Sequence, residues 1–334
     1  MTQLQPTSAI KDEFNPDADV YPLMGFTKVD GVRASRLQLF FHGRSMDPFK
    51  NLALNAKFSH DIYNGFDGEL TIDGLLTDVG VPLDKDGEEQ SLCSATTGLT
   101  NRSKLKKGET EIPSNGYWNL FDLLDETTLD LPYHDRYEAL KARVETASPP
   151  HVRVLPFIWI YTTEQARAFI IWCLDNGYEG AIFRDPRAKH KSGRAAASKN
   201  DFWRYKPVSD KDAIVIEVYE AMANNNEKTI NSRGHSERSS HKENKVAKGT
   251  AGGFIAYDVL TGRLVRIPCG RLTAKQKLEV WENRASYPGV PFKYESLDVG
   301  VKDEPRQARW IAWRSLEDMT PADRALVARL QVAA

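Results

Sequence analysis

The sequence has no apolar run long enough to span a bilayer, and its start lacks the charged-then-apolar pattern of a secretory leader. No membrane partner is expected. Cysteine is scarce: Cys93, Cys173 and Cys269 lie far apart and form no Cys-x-x-Cys pair. That spacing argues against a zinc site and suits a reducing cytoplasm. No charge of one sign dominates either. With 45 Lys+Arg against 46 Asp+Glu the formal net charge is −1, so no global basic field advertises nucleic acid. Any such binding has to come from local patches. What is present is the composition of an ordinary globular protein, 41% hydrophobic and 27% charged, at a length that suits one large domain or two ordinary ones.

The chain is best read outward from Phe26-Thr27-Lys28-Val29-Asp30-Gly31-Val32-Arg33. Taken alone, a lysine beside an Asp-Gly turn reads as an exposed surface residue. The functional alternative is a nucleophile. A lysine amine has an ordinary pKa of about 10. To attack phosphorus it must lose its proton, which nearby cations and partial burial favour. Before it, Met1 to Asp17 is polar with two prolines and reads as a loosely ordered lead-in.

After it, Val32 to Phe41 suits a strand, and His42-Gly43-Arg44-Ser45 a turn that carries a cation. In Phe66-Asp67-Gly68-Glu69-Leu70 the Asp-Gly pair reads as a turn, with Glu69 entering a strand as a solvated acid or a ligand for metal or ribose. Asp84 to Lys107 is polar and reads as loop or short helix. Tyr117 to Leu124 is a buried strand in which one aromatic could face a purine. His134 to Val144 reads as a helix, and Leu155 to Ile160 as a strand. Thr162 and Gln165 open a helix that Asn176-Gly177 stops, which makes Cys173 core. Glu179 stands at the mouth of a strand, Ala181 to Arg184. In Phe202-Trp203-Arg204-Tyr205-Lys206-Pro207 the two cations share one strand face. Pro207 and the polar residues after it mark a domain boundary.

Beyond that boundary the chain turns to short strands. Ala213 to Val218 is one; Gly253 to Asp258 and Arg263 to Ile267 flank a Thr261-Gly262 turn. Thr273 and Gln276 open a helix carrying Leu278 and Trp281. Phe292-Lys293-Tyr294 and Trp310 to Trp313 are further strands, and a last helix starts near Thr320-Pro321. Short strands interrupted by one helix fit a small barrel. Ser232 to Thr250 carries five cations, Arg233, Arg238, Lys242, Lys245 and Lys248, against two anions, Glu237 and Glu243. It reads as a disordered polar loop, or as a segment that orders on a phosphate backbone.

The ordered set matters more than any member. Lys28-x-Asp-Gly-x-Arg33, Asp67-Gly68-Glu69, the aromatic run around Phe121, Glu179-Gly180 and Arg204-x-Lys206-Pro207 occur in that order. Together they resemble the ATP-dependent DNA ligases of the covalent nucleotidyltransferase superfamily. The short lead-in is similar to the minimal bacteriophage type. The resemblance implies an α+β fold. Its adenylation (nucleotidyltransferase) domain would be built of antiparallel sheets with flanking helices over residues 1–207. An oligonucleotide-binding (OB) β-barrel would follow over residues 208–334. It implies Lys28 as the nucleophile that takes AMP from ATP, with Lys206 beside it in catalysis. Phe26, Thr27, Lys28, Arg33, Arg44, Glu69, Phe121, Glu179, Arg204 and Lys206 would form the nucleotide site. Phe121 would stack on adenine, and Glu69 and Glu179 would hold magnesium or manganese. Arg306, Arg309 and Arg314 fall where a carboxy-terminal motif would meet pyrophosphate, although its spacing is loose. Lysine is commoner in the family where Arg204 stands.

The resemblance also implies nicked duplex DNA as the partner, a monomer, and a cytoplasmic location, the host's if the source is viral. Replication, repair and recombination are the roles it leaves open. Competing readings are an RNA ligase, a capping-type nucleotidyltransferase, or a non-catalytic OB-fold nucleic-acid-binding protein. NAD as adenylate donor is not expected, because that branch carries extra domains and a zinc-binding cysteine cluster.

Overall fold

In the computed structural model, which describes residues 4–9, 14–17, 20–37, 39–72, 92–105, 111–195, 201–207, 209–230, 236–297 and 305–333, the chain divides into two units, Met1–Pro207 and Val208–Ala334. Its class is α+β. The first unit runs β1 (Thr7–Ser8), β2 (Leu23–Lys28), β3 (Val32–Ser35), α1 (Leu52–Phe58), β4 (Phe66–Ile72), α2 (Leu92–Thr100) and β5 (Gly116–Leu123). It continues through α3 (Tyr133–Ala147), β6 (Val152–Val154), β7 (Phe157–Ile160), α4 (Thr163–Asp175), β8 (Gly180–Arg184), β9 (Gly193–Arg194) and β10 (Phe202–Tyr205). Two four-stranded sheets carry it. One has the order β10-β8-β2-β7 and is antiparallel throughout. The other has the order β3-β4-β5-β6, antiparallel except where β6 runs parallel to β5.

Residues 29–31 step from the first sheet to the second. Gly31 is required there, since a Cβ would lie 2.4 Å from the carbonyl oxygen of Leu70. The second sheet is centred on Trp118, fully buried among Phe41, Phe58, Tyr63 and Phe66. Truncating such a ring costs about 3–5 kcal/mol. The first sheet packs Leu23, Ile160 and Phe183 against Ala166, Phe169 and Cys173 of α4. That helix starts where Thr162 accepts the Gln165 N–H at 3.3 Å, and stops at Gly177, whose φ is +76°.

Several sequence expectations are corrected here. The strand expected over Val32 to Phe41 ends at Ser35, because Ser35 and His42 exchange backbone hydrogen bonds and close a loop whose Phe41 plugs the Trp118 core. Asp67-Gly68 is no turn but lies inside β4. The strand expected from Leu155 is broken, since Leu155 turns into the core between β6 and β7. The amino-terminal lead-in is anchored: Gln5, Thr7 and Phe14 are buried, β1 pairs with β9, and Phe14 stacks on Phe183 at 4.0 Å. Within Asp84 to Lys107, the described part forms α2 and the turn after it, and the remainder lies outside the described residues.

The second unit runs β11 (Ser209–Asn224), β12 (Lys228–Ile230), β13 (Ser236–Arg238), β14 (Lys245–Asp258), β15 (Leu264–Pro268), α5 (Ala274–Glu282), β16 (Pro291–Leu297), β17 (Arg306–Trp313) and α6 (Pro321–Ala333). Its five-stranded antiparallel sheet has the order β15-β14-β11-β16-β17. The outer strands β15 and β17 come close, but among the described residues no ladder joins them, so the expected barrel is an unclosed sheet. Phe254, Ile267, Phe292 and Tyr294 form its core. Asp258 caps the β14–β15 turn by accepting the Thr261 N–H at 2.6 Å. Both halves of the Thr273–Gln276 capping box are present. Val280, not Leu278, anchors α5; Leu278 is 43% exposed. The basic stretch read as a loop is largely a β-arm: β11 and β14 pair out to Asn224–Lys245, and β12 pairs with β13 beyond them. Arg233 lies outside the described residues.

Candidate active site

Lys28 ends β2, and the residue that pairs with it on β8 is Gly180. Glu179 therefore stands beside the lysine, and its backbone N–H donates to the Lys28 carbonyl at 3.0 Å. Gly180 makes this possible. Its φ is +149°, and a Cβ there would lie 2.1 Å from the carbonyl oxygen of Tyr205. Only glycine lets β8 pass so close to β10. The consequence is that Lys206, just beyond β10, reaches the same carboxylate. Lys28 Nζ pairs with Glu179 Oε2 and Lys206 Nζ with Oε1. Glu179 is 4% exposed. A buried carboxylate of this kind needs partners, and removing them from such a group costs about 3–5 kcal/mol.

Burial pushes the Lys28 amine below the usual lysine range. Glu69 and Asp30 oppose that fall, and Arg204 and Arg44 add to it. Desolvation is thus the leading cause, ahead of the two arginines. Burial also pushes the Glu69 carboxyl up, against Lys28, Arg33 and Arg44. These mutual effects bring Glu69 of β4, Arg204 of β10 and the exposed Arg44 into the electrostatic reach of Lys28.

Arg33 and Phe121 form a second group. Arg33 gives Nε to Asp67 Oδ1 at 2.8 Å and Nη2 to Oδ2, and its Nη2 also meets the Thr7 carbonyl at 3.2 Å. Its guanidinium lies 4.6 Å from the Phe121 ring centre. Phe121 is free to face it because the ladder skips it: Asp67 opposes Asp122, and Gly68 opposes Leu120. The unpaired residue is a bulge, a device that re-aims a side chain. Gly68 permits it, since a Cβ there would lie 2.4 Å from the Asn119 oxygen.

No family model matches this chain, and no curated protein does. A solved structure from work on the minimal-scaffold Lig E DNA ligases overlays with a TM-score of 0.66 at 15% identity, covering 93% of this chain and 99% of that one. The protein designated Pmar-Lig PreS3 overlays with a TM-score of 0.64 at 16% identity, covering 93% and 68%. The Chlorella virus DNA ligase-adenylate overlays less closely, with a TM-score of 0.48 at 21% identity over 93% and 99%. The fold is that of the DNA ligases. At these identities the likeness concerns architecture, and the chemistry has to be argued from the residues.

Not every residue picked from sequence belongs to the cluster. The Phe26 ring is core, 2% exposed among Tyr133, Tyr137 and Phe157, so only its backbone could meet a ligand. Thr27 is half-buried and paired with Ala181. In the second unit Arg309 pairs with Glu295, and Arg314 lies 3.4 Å from Asp212. The side chain of Arg306 lies outside the described residues, though its backbone opposes Leu297. Arg238 donates to the Asn226 carbonyl, and Lys242 and Lys248 are exposed. Lys245 is half-buried at the start of β14.

Sequence reading missed two acids. Asp67 anchors Arg33 and also accepts from Ser35 Oγ at 2.6 Å. The signal was its two-residue spacing from Glu69, which puts both on one strand face. Asp122 is buried and takes Arg136 Nε at 2.8 Å and Arg184 Nη1 at 3.0 Å. Burial raises its carboxyl, but the two arginines outweigh this and hold it below the usual range. An acid inside an apolar strand demands such partners. Among the described residues no helix is long and apolar enough to cross a membrane.

Proposed function

We propose that this protein is an ATP-dependent DNA ligase that seals 5′-phosphate/3′-hydroxyl nicks in duplex DNA. It would work through a lysyl-AMP enzyme intermediate and an adenylated DNA intermediate. The observation that carries this reading is the largely buried Lys28 amine, lowered in basicity and sharing one carboxylate with Lys206. Residues 1–207 would be the adenylation domain and residues 208–334 the OB-type domain.

Lys28, once deprotonated, attacks the α-phosphorus of ATP. An N–P bond forms, the bond to pyrophosphate breaks, and pyrophosphate leaves. Lys206 and Arg204 balance charge on the α-phosphate oxygens. Phe121 offers its face to adenine, while Arg33 and Arg44 stand for ribose and phosphate. AMP then passes to the 5′-phosphate of the nick, and the 3′-hydroxyl displaces it. One phosphoanhydride is exchanged for one phosphodiester, so sealing runs downhill. The cations of the arm and Arg306, Arg309 and Arg314 would meet phosphates of DNA or pyrophosphate.

Glu69 and Glu179 would hold magnesium or manganese. Two carboxylates suit magnesium, which takes one or two such ligands and keeps several waters. Among the described residues no group of three or more histidines, cysteines or acids is placed to hold a metal ion. Bound there, the ion would offset the negative charge of the phosphates.

The test is intact-mass measurement after exposure to ATP and magnesium, with peptide mapping of any added AMP. The adduct is expected on Lys28, and Lys28→Ala should lose both adduct and sealing, with the fold kept because Glu179 retains Lys206. An adduct at normal yield in that variant sinks the reading. Labelled GTP, and nicks with RNA strands, run in parallel to separate capping and RNA joining.

A further inference from the structure

In the second unit one buried acid gathers two arginines. Glu295, on β16, is 4% exposed. Arg309 stands opposite it on β17 and pairs with its Oε1. Arg271 comes from the turn before α5 and reaches the same Oε1 at 2.8 Å. That turn is pinned, because Cys269 and Leu272 on either side are 2% and 4% exposed and the Leu272 N–H donates to the Cys269 carbonyl at 3.1 Å. The two guanidiniums are thus held side by side by the fold.

Two cations on one oxygen of one anion leave a single positive charge in surplus, and they repel each other. A second anion between them would relieve both. Each side chain is about half exposed, 47% for Arg271 and 50% for Arg309. A guanidinium has five N–H donors in a planar fork, so contact with Glu295 leaves donors of each directed at solvent. Two adjacent forks match the oxygens of one phosphate. Lys293, two residues along β16, is tied to Asp210 at 3.2 Å and adds no net charge.

We propose that Arg271 and Arg309 clamp one backbone phosphate of a polynucleotide, with Glu295 as their positioning residue. The proposal rests on the ligase reading and gives Arg309 a partner other than pyrophosphate. The charge decides between the two sources of phosphate. A surplus of one matches a phosphodiester, which carries one negative charge. Pyrophosphate carries several and needs more cations than are gathered here.

The test measures binding of nicked duplex DNA across a salt series for the wild type, Arg271→Ala, Arg309→Ala and the double variant. Lysyl-adenylate formation and its reversal by pyrophosphate are followed in each. Single variants should bind about tenfold more weakly and shallow the log–log salt slope by about 0.9, the loss of one phosphate contact. The double variant should be little weaker than either single one, because the same phosphate is lost once. Adenylation and reversal should not change in Arg271→Ala. Arg271→Lys and Arg309→Lys guard against misfolding; they should keep the salt slope and still bind more weakly, since an ammonium lacks the fork. Slower adenylation or reversal with normal DNA binding overturns the proposal in favour of pyrophosphate. Unchanged binding in the alanine and lysine variants overturns it in favour of a purely structural triad. A wild type that neither takes AMP nor seals DNA defeats the ligase reading instead, and its salt slope still tests the clamp.

Discussion

Lys28 and Lys206 are mostly buried and meet in one shared carboxylate, whereas along residues 236–248 the cations stand mostly in solvent. The two regions obey different physics. Buried charge is costly unless its partners are closely placed. The backbone around Lys28 is accordingly shaped by glycines at 31, 68 and 180, each at a spot where a Cβ would strike a carbonyl oxygen. Exposed charge costs little and is screened by salt. The arm therefore tolerates many arrangements and depends on how many cations it carries. Its own glycine, Gly249, has φ +64° but open space where a Cβ would go.

The sharpest way to break this comparison is to add one methyl group in each region. Gly180→Ala should cost about 3 kcal/mol or more, combining backbone strain with a collision that no flexible side chain can relieve. It should also separate Lys206 from Glu179 and abolish the AMP adduct. Gly249→Ala should cost only the left-handed backbone penalty, about 1 kcal/mol, and leave adduct formation untouched. Chemical denaturation of both variants, with adduct yield measured beside it, decides the matter. Equal losses would mean that the region around Lys28 is no more tightly specified than the arm.

The same contrast explains what could be read from the sequence. Lys28, Glu179 and Lys206 each stand where an apolar run begins or ends, next to punctuation such as Asn176-Gly177 or Pro207. The folding of those runs into one sheet is what gathers them. The Thr273–Gln276 box was equally legible, because capping is local. Asp67 was hidden because Asp-Gly inside a strand looks like a turn, and the bulge at Phe121 leaves no mark in a sequence read one strand at a time. The pairing of β1 with β9 joins two-residue strands, too short for any period to show. The ladders of the arm were hidden for a related reason. Backbone ladders hold it, together with Asn226, whose Nδ2 donates to the carbonyls of Ser239 and His241 at 2.9 Å each. None of that requires an apolar period. Closure of the second sheet depends on twist and strand ends, which composition does not encode.

Burial in the first unit should also be visible as acid sensitivity. His190 accepts or donates through Nδ1 to Thr7 Oγ1 at 3.1 Å, and its buried Nε2 has no hydrogen-bond partner. Burial pushes its pKa down to about 4; Asp122 and Asp67 oppose this, while Arg136 and Arg184 support it. A histidine with a depressed folded pKa is protonated first in the unfolded chain. Its contribution is therefore present above the ordinary histidine range and is lost as pH falls toward 4. Between pH 6.5 and 4.5 the loss should be about 2 kcal/mol. His190→Gln should remove that part of the slope in denaturation curves taken over this range. Parallel slopes in wild type and variant would show that the pocket admits the charged ring.

The smallest effect belongs to the arm, and it tests the other half of the comparison. Arg238 is the wrong residue to remove first, because it also holds the Asn226 carbonyl. Lys242, exposed in the turn before β14, and Lys245, at the start of that strand, are better placed for a charge-only experiment. Replacing both by alanine should weaken nicked-duplex binding about tenfold at moderate salt and shallow the log–log salt slope by about 1–2. Folding stability should move by no more than about 0.5 kcal/mol, as for ordinary surface changes. Returning a single lysine at position 244, in place of Asn244, should recover part of the affinity, because an exposed arm reads charge number more than charge position. If instead only the original positions restore binding, the arm is as tightly specified as the buried cluster, and exposure is not what separates the two regions.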